Sequence, residues 1–377
     1  MEFPKSLVDA LQAHRVIPFA GAGISMAARR RDSDVPAFPG WIDLLRQAAQ
    51  ELRNEQKAAE AGYVDSCLTL DEPKVLEAAQ AAQKGLQAGW SDFLVRVFRL
   101  QRKDLSDESL ETARLLWHLG NNLIVTTNFD NILAWSSPDQ FPIIWRIENT
   151  HGHVHFMRGD HHDPTVWHFH GHIDEPDRII LTPDGYSLLY GTQVTESQYE
   201  AALATFRNTI SRHTILFVGF SLKDESVNAQ LNWLEHTFRG QAGRHFALMR
   251  RDEIPLLKAH GALTNVEPIS YEEHGEPLLA CLREMASIVD PAFRRSDRNL
   301  EPQESVPPVP SAPGAEWPAD LGLEMPESFL LRPEHCIVPF HKFRHGCCGR
   351  CCTGLWPTSR SWRYASRSVR AGPARPA

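Results

Sequence analysis

Three short stretches carry residue types that can do chemistry: Gly21-Ala-Gly-Ile-Ser25, Thr126-Thr-Asn-Phe-Asp130 and Val166-Trp-His-Phe-His-Gly-His-Ile-Asp174. Each reads as a buried strand running out into a polar loop. In open α/β sheets, ligands bind at the carboxyl ends of the strands. Glycines at such an exit let backbone N–H groups approach a pyrophosphate. Asn128 can bond a ribose or nicotinamide group, and Asp130 can either orient its loop or cap a helix over 131–135. His170, followed by Gly171, can face a ligand, and an imidazole near its ordinary pKa suits general-base work. His168, two residues earlier on the same strand face, lacks a following glycine and is expected to matter less. A fourth exit, Ile215-Leu-Phe-Val-Gly219, leads through Ser221 to Asp224, a candidate helix cap. This inventory suits a dinucleotide and chemistry at one of its riboses.

The elements that must position these residues alternate. Strands are predicted at 16–20, 122–126, 143–147, 166–170, 214–219 and 244–249. Helices are predicted at 5–13, 41–60, 73–100, 107–119, 196–212, 225–238 and 274–288. Buried strands alternating with helices imply an α/β fold, a doubly wound, mostly parallel Rossmann-like sheet with helical insertions. The missing third glycine, and the lack of a clear ribose-binding acid about twenty residues on, argue against an ordinary hydride-transfer site.

Histidine is concentrated, with eight of the chain's 18 between 151 and 172. His-x-His spacing puts two rings on one strand face, but the segment lacks thiolate partners. No metal ligand is assigned, and most of these rings are expected at the surface or rim. Cys67 and Cys281 are isolated; the other five of the seven cysteines lie between 336 and 352. Zinc is therefore not expected.

The remaining composition sets limits. The 377 residues are 42% hydrophobic and 23% charged, enough for a sizeable core. A net charge of −8 does not favour nucleic acid or an anionic membrane. No apolar run approaches the roughly eighteen residues of a membrane span, and the start lacks a signal-peptide pattern. The expected location is cytoplasmic. Residues 291–327 hold eight prolines and read as a linker after a folded domain at 1–290. Residues 328–377 read as disordered or as the truncated start of a further domain.

Taken together, the four exits resemble the sirtuin family, in its divergent bacterial branch of NAD-hydrolysing defence effectors, over roughly residues 10–290. Gly21, Ala22, Gly23 and Ser25 resemble the family's phosphate and ribose loop. Thr127-Asn-Phe-Asp130 resembles its Thr-Gln-Asn-Ile-Asp motif, with Thr127 where glutamine is usual. Phe169-His170-Gly171 is similar to the His-Gly pair that carries the catalytic base. Gly219 and Ser221 resemble the segment against the adenosine. Two features of the family's deacylases are missing: paired Cys-x-x-Cys motifs after His170, and a Pro-Asp-Phe-Arg element, replaced by Pro36-Ala-Phe-Pro-Gly-Trp41. The resemblance therefore implies attack by water, with NAD as substrate and Asn128 and His170 catalytic. It also implies Gly21, Ala22, Gly23, Ser25, Thr127, Asp130, Gly219 and Ser221 as NAD-binding residues. A homo-oligomer governed by a sensor domain or partner is the expected setting. Protein deacylation or ADP-ribosylation, and non-catalytic NAD or ADP-ribose binding, stay open as alternatives.

Overall fold

The computed structural model describes residues 2–139, 141–191, 196–259 and 265–293. The linker expected from 291 and the segment 328–377 thus lie almost wholly outside the described residues.

Seven strands form one parallel sheet: β1 (Val16–Ala20), β2 (Leu123–Thr126), β3 (Ile143–Trp145), β4 (Thr165–His168), β5 (Thr214–Val218), β6 (His245–Arg250) and β7 (Val266–Tyr271). Their order is β3-β4-β2-β1-β5-β6-β7. From β1 the chain lays β2 beside it, β3 at the far edge and β4 between β2 and β3, then returns to β1's other edge with β5. The reversal between β1 and β5 is a topological switch point, the place where open α/β sheets form a ligand crevice. Pro18 has no N–H to donate; β1 pairs with β5 along its length but with β2 only from Phe19 onward.

The first side of the sheet is covered by α1 (Lys5–Gln12), a short α2 (Ala22–Ala27) and an insertion of α3 (Trp41–Asn54), α4 (Ala58–Leu68), α5 (Val75–Leu86) and α6 (Gly89–Phe98). To these are added α7 (Glu111–Leu116), α8 (Ile132–Trp135) and, at the far end of the described chain, α14 (Glu276–Val289). The second side holds α9 (Thr150–Arg158), α10 (Pro183–Tyr190), α11 (Glu200–Arg212) and α12 (Glu225–Thr237), with α13 (Ile254–Ala259) between β6 and β7. Successive strand residues point to opposite faces. Val16, Ala20, Ile124 and Val166 join the first core, while Ile17, Phe19, Val125 and Trp167 join the second. A sheet buried on both faces reads as near-continuous apolar runs, which is why these strands were legible.

Several boundaries differ from the expectation. The helices expected at 41–60 and 73–100 are each two helices, separated at Glu55–Lys57 and at Gln87–Ala88. Gln56 and Gln87 take positive φ there, 62° and 53°, which turns the chain so that each following helix folds back. The helix expected at 107–119 is regular only over Glu111–Leu116, after a 3-10 turn at Glu108–Leu110. The edge strand β7 was not anticipated, because Glu267 and Pro268 interrupt its apolar pattern. Nor was α9, whose sequence, Thr-His-Gly-His-Val-His-Phe-Met-Arg, hides one buried face among polar residues.

That face carries His153, fully buried, with ring centroids 5.2 Å from Trp145 and 4.7 Å from Trp167. Neither of its ring nitrogens has a hydrogen-bond partner. Burial pushes its pKa down from 6.5 to about 4. The unfolded chain regains the ordinary value, so it binds more protons below pH 6.5, and stability is lost as pH falls from there through 4. Replacing an unpaired buried polar ring by an apolar one of similar shape is neutral or stabilising. His153→Phe should therefore hold or raise the thermal midpoint at pH 7 and flatten its decline between pH 6.5 and 4. A midpoint lower by more than about 5 °C at pH 7 would refute this reading of the ring.

Candidate active site

The parallel register sets four loops level with one another. Val218 is opposite Ala20, Ala20 opposite Thr126, and Thr126 opposite His168. Adjacent strands lie about 4.8 Å apart, so the exits of β5, β1, β2 and β4 form a row about 14 Å long. That is the scale of a dinucleotide lying along one sheet edge.

At the switch point the two glycine exits touch. The Gly21 N–H donates to the Val218 carbonyl oxygen (3.0 Å) and the Gly23 N–H to that of Gly219 (2.8 Å). A Cβ on Gly21 would stand 2.4 Å from the Gly219 oxygen. Gly219 itself has φ +63°, and a Cβ there would meet the Ile24 nitrogen at 2.8 Å. The glycines are thus required by close packing of two loops, and the N–H groups of Gly21 and Gly23 are spent on that contact instead of being free for a phosphate. Half-buried Ala22 and Thr127 and exposed Ser221 lie along the rim of the row.

Asn128 is the best-determined residue of the row. Its N–H donates to Thr126 Oγ1 (3.0 Å), and its carbonyl oxygen accepts from His168 Nδ1 (2.7 Å). Its Nδ2 donates to the Gly21 carbonyl oxygen and to Ser25 Oγ, both at 2.8 Å. A backbone carbonyl can only accept, so the amide nitrogen must face Gly21, which assigns the side-chain orientation. One polar atom is left over. Asn128 presents Oδ1, an acceptor, and nothing else. Ser25 in turn donates to Asp130 Oδ2 (2.5 Å), and Asp130 Oδ1 accepts from the Ile132 N–H (3.0 Å). Asp130 therefore caps the start of α8 and orients its own loop at once. Burial pushes its pKa up, opposed by the Ser25 hydrogen bond. Ser25 and Asp130 are both buried and hydrogen-bonded inward.

His170 belongs to a second group. Gly171, at φ +98°, turns the chain immediately after it, and a Cβ at Gly171 would lie 3.0 Å from the Arg178 oxygen. The strand ends at His168, so the two rings do not share a face as expected. His168 packs toward Asn128 and His172, whereas His170 packs toward Tyr186 and Tyr190. His170 Nε2 lies 2.7 Å from the Tyr190 hydroxyl. Tyr190 stacks on Tyr186, whose hydroxyl donates to Asp224 Oδ2 (2.8 Å). Asp224 Oδ1 accepts from the N–H groups of Ser226 and Val227, the cap expected from the sequence. Burial raises the Tyr190 pKa far above its ordinary value, so the hydroxyl keeps its proton; with the ring proton on Nδ1, that hydroxyl donates a hydrogen bond to His170 Nε2. Burial also lowers His170 to about 4, with Asp224 opposing. That corrects the expectation of an imidazole near its ordinary pKa: the ring is neutral at pH 7 and a weaker base.

The histidine-rich segment is more buried than expected. His153, His168, His170 and His172 are buried, and only His151 and His162 of the eight are exposed. Thr126, His168, Tyr186 and Tyr190 were not assigned from the sequence. For the tyrosines a signal existed: Thr182-Pro183 is a helix start, and residues four apart on a helix share a face. A cavity of about 780 Å³ is lined by none of the residues of the row. It is lined by Met26, Phe38 and Arg96 among others. Its Phe38 stacks on Phe98, which meets Phe129 edge-on.

Residues 122–269 match the family model of the SIR2-like domain. Over 253 residues the chain is 22% identical to the NAD(+) hydrolase ThsA of Enterococcus faecium, covering 66% of this chain and 45% of that protein. It is 23% identical over 257 residues to the protein of the same name from Bacillus cereus (strain MSX-D12), covering 67% and 46%. To the Defense-associated sirtuin 2 of Bacillus subtilis it is 22% identical over 303 residues, 77% of this chain and 25% of that one. The chain spans less than half the length of these curated relatives. The matched segment contains β2 to β6 and part of β7, with Asn128, His170 and Gly219; over that segment the chain is similar to the SIR2-like domain.

Proposed function

We propose that the chain hydrolyses NAD to nicotinamide and ADP-ribose as a defence effector. The observation that carries this reading is Asn128, fixed by four hydrogen bonds on three polar atoms with Oδ1 presented, in a row of exits beside a switch point. The names of the relatives support the substrate and, for the Bacillus subtilis protein, the defence role.

The chemistry follows from the groups. Nicotinamide leaves with the electrons of its glycosidic bond, and the ribose becomes oxocarbenium-like, as in glycoside cleavage. Oδ1, the negative end of a fixed amide dipole, stabilises that charge without reorganising. It can also accept a hydrogen bond from a ribose hydroxyl or from the attacking water. Water adds to the anomeric carbon, and its proton passes to neutral His170. Nicotinamide, ADP-ribose and one proton balance the reaction. With the ring proton on Nδ1, the Tyr190 hydroxyl, 2.7 Å away, occupies the Nε2 lone pair, and His170 accepts that proton at Nε2 only once Tyr190 releases it.

Two measurements check the reading. Purified protein incubated with NAD should yield nicotinamide and ADP-ribose in equal amounts. His170→Ala should cut turnover roughly 10²–10⁴-fold, and Asn128→Ala should be comparably impaired through lost positioning. NAD left intact by the unmutated protein, or full activity in both variants, would exclude the reaction or its site. Tyr190→Phe tests the masking of the base. The lost hydrogen bond is worth about 0.5–1.5 kcal/mol, so kcat/KM should rise by roughly 2–10-fold. A fall instead would make Tyr190 a participant in proton transfer and not a mask.

A further inference from the structure

His168 is the last residue of β4, fully buried, and has no role in the reaction as written above. Its Nδ1–H donates to the carbonyl oxygen of Asn128 at 2.7 Å. Its other nitrogen, Nε2, is buried with no hydrogen-bond partner. The neighbouring ring of His172 lies 4.5 Å away, centroid to centroid, and its own nitrogens are engaged elsewhere. His172 Nε2 pairs with Asn131 Oδ1 (2.9 Å), and Nδ1 accepts from the Asp174 N–H (3.3 Å). Leaving a buried Nε2 unpaired costs stability, and an apolar side chain would fill the space at lower cost. What the imidazole supplies in return is one donor, aimed at one carbonyl. Burial drives its pKa to about 3, so the ring stays neutral, with its proton on the nitrogen that faces the carbonyl.

The Asn128 peptide is held on its other side as well. Thr126 Oγ1 accepts the Asn128 N–H at 3.0 Å and donates to the Ala20 carbonyl oxygen at 2.9 Å, tying the loop to β1. Without the His168 donor, the Asn128 carbonyl is left unpaired in a buried site. The peptide then rotates toward another donor, and the Cα–Cβ bond that aims Oδ1 turns with it. We propose that His168 is a positioning residue for NAD cleavage, fixing the Asn128 peptide and so the direction in which Oδ1 meets the reacting ribose. The inference rests on the hydrolase reading above.

Steady-state NAD hydrolysis by a set of variants tests it. His168→Leu keeps the volume and removes the donor; kcat should fall about 10²-fold, the cost of a small misplacement. KM for NAD should stay within about twofold, since binding contacts along the row are untouched. His168→Asn carries an amide N–H at the same number of bonds from Cα as Nδ1, and should recover kcat to within about tenfold of the unmutated protein. Thr126→Val removes the other peptide anchor and should shift kcat in the same direction, which keeps the test decisive should His168→Leu not fold. Unchanged kcat in His168→Leu or Thr126→Val, a loss confined to KM, or His168→Asn no better than His168→Leu would each overturn the inference. Unmutated protein that leaves NAD intact overturns the hydrolase reading and this inference together; active protein with unaffected variants overturns this inference alone.

Discussion

A backbone carbonyl, a backbone N–H and a side-chain amide at the buried Asn128 all have to find partners, and the surrounding loops are arranged to supply them. Thr126, His168, Gly21 and Ser25 each take one of these groups. The supply is possible only because β1, β2 and β4 end at the same level, with Ala20, Thr126 and His168 in one register row. A slip of one residue in β4 would put Trp167 where His168 stands and leave the Asn128 carbonyl unpaired. Register therefore determines chemistry here. The one polar atom not consumed by the scaffold, Oδ1, is what the scaffold can offer to a substrate.

The two hydrogen-bonded groups of the site are anchored in different cores. Phe129 and Ile132, flanking Asp130, pack into the core under the inserted helices. Phe169 and Leu189, beside His170 and Tyr190, pack into the core under α9 to α12. The row of exits is thus a seam between two hydrophobic layers, and a ligand bound along it would bridge them. Burial at that seam has opposite consequences for its titratable groups. It holds His168 and His170 neutral, to about 3 and about 4, and keeps the Tyr190 hydroxyl protonated. Tyr190 also covers His170 Nε2, so the two groups proposed for the reaction differ in readiness. Asn128 Oδ1 is already presented, whereas the base role proposed for His170 requires a movement of Tyr190.

Much of this arrangement was legible in the sequence. The strands β1, β2, β4, β5 and β6 are apolar runs because both faces of the sheet are covered, and the exits announce themselves by Gly21, Asn128, His170 and Gly219. Asp224 was readable as a cap for the same local reason. What was not legible is whatever tertiary partners decide. The glycines read as a phosphate cradle, and the packing that requires them shows only in the 2.4 Å approach of a Gly21 Cβ to the Gly219 oxygen. The histidines read as surface residues because polarity is a poor guide once Trp145, Trp167 and Asn128 provide buried surroundings. His168 in particular shows nothing in its neighbours along the chain of the carbonyl, forty residues away, that it holds. The strand β7, broken by Glu267 and Pro268, is a strand because β6 pairs with it along its length, not because its own pattern requires it.

The account stands most directly on where Asn128 Oδ1 lies relative to the reacting ribose. A structure of the protein with a non-hydrolysable NAD analogue would show this. The analogue should lie along the exits of β5, β1, β2 and β4, with Oδ1 at about 2.6–3.2 Å, hydrogen-bonding distance, from a hydroxyl of the nicotinamide ribose or from a water beside its anomeric carbon. An analogue seated with that ribose in the cavity of Phe38 and Arg96, or with Oδ1 facing no ligand atom or bound water, would contradict it.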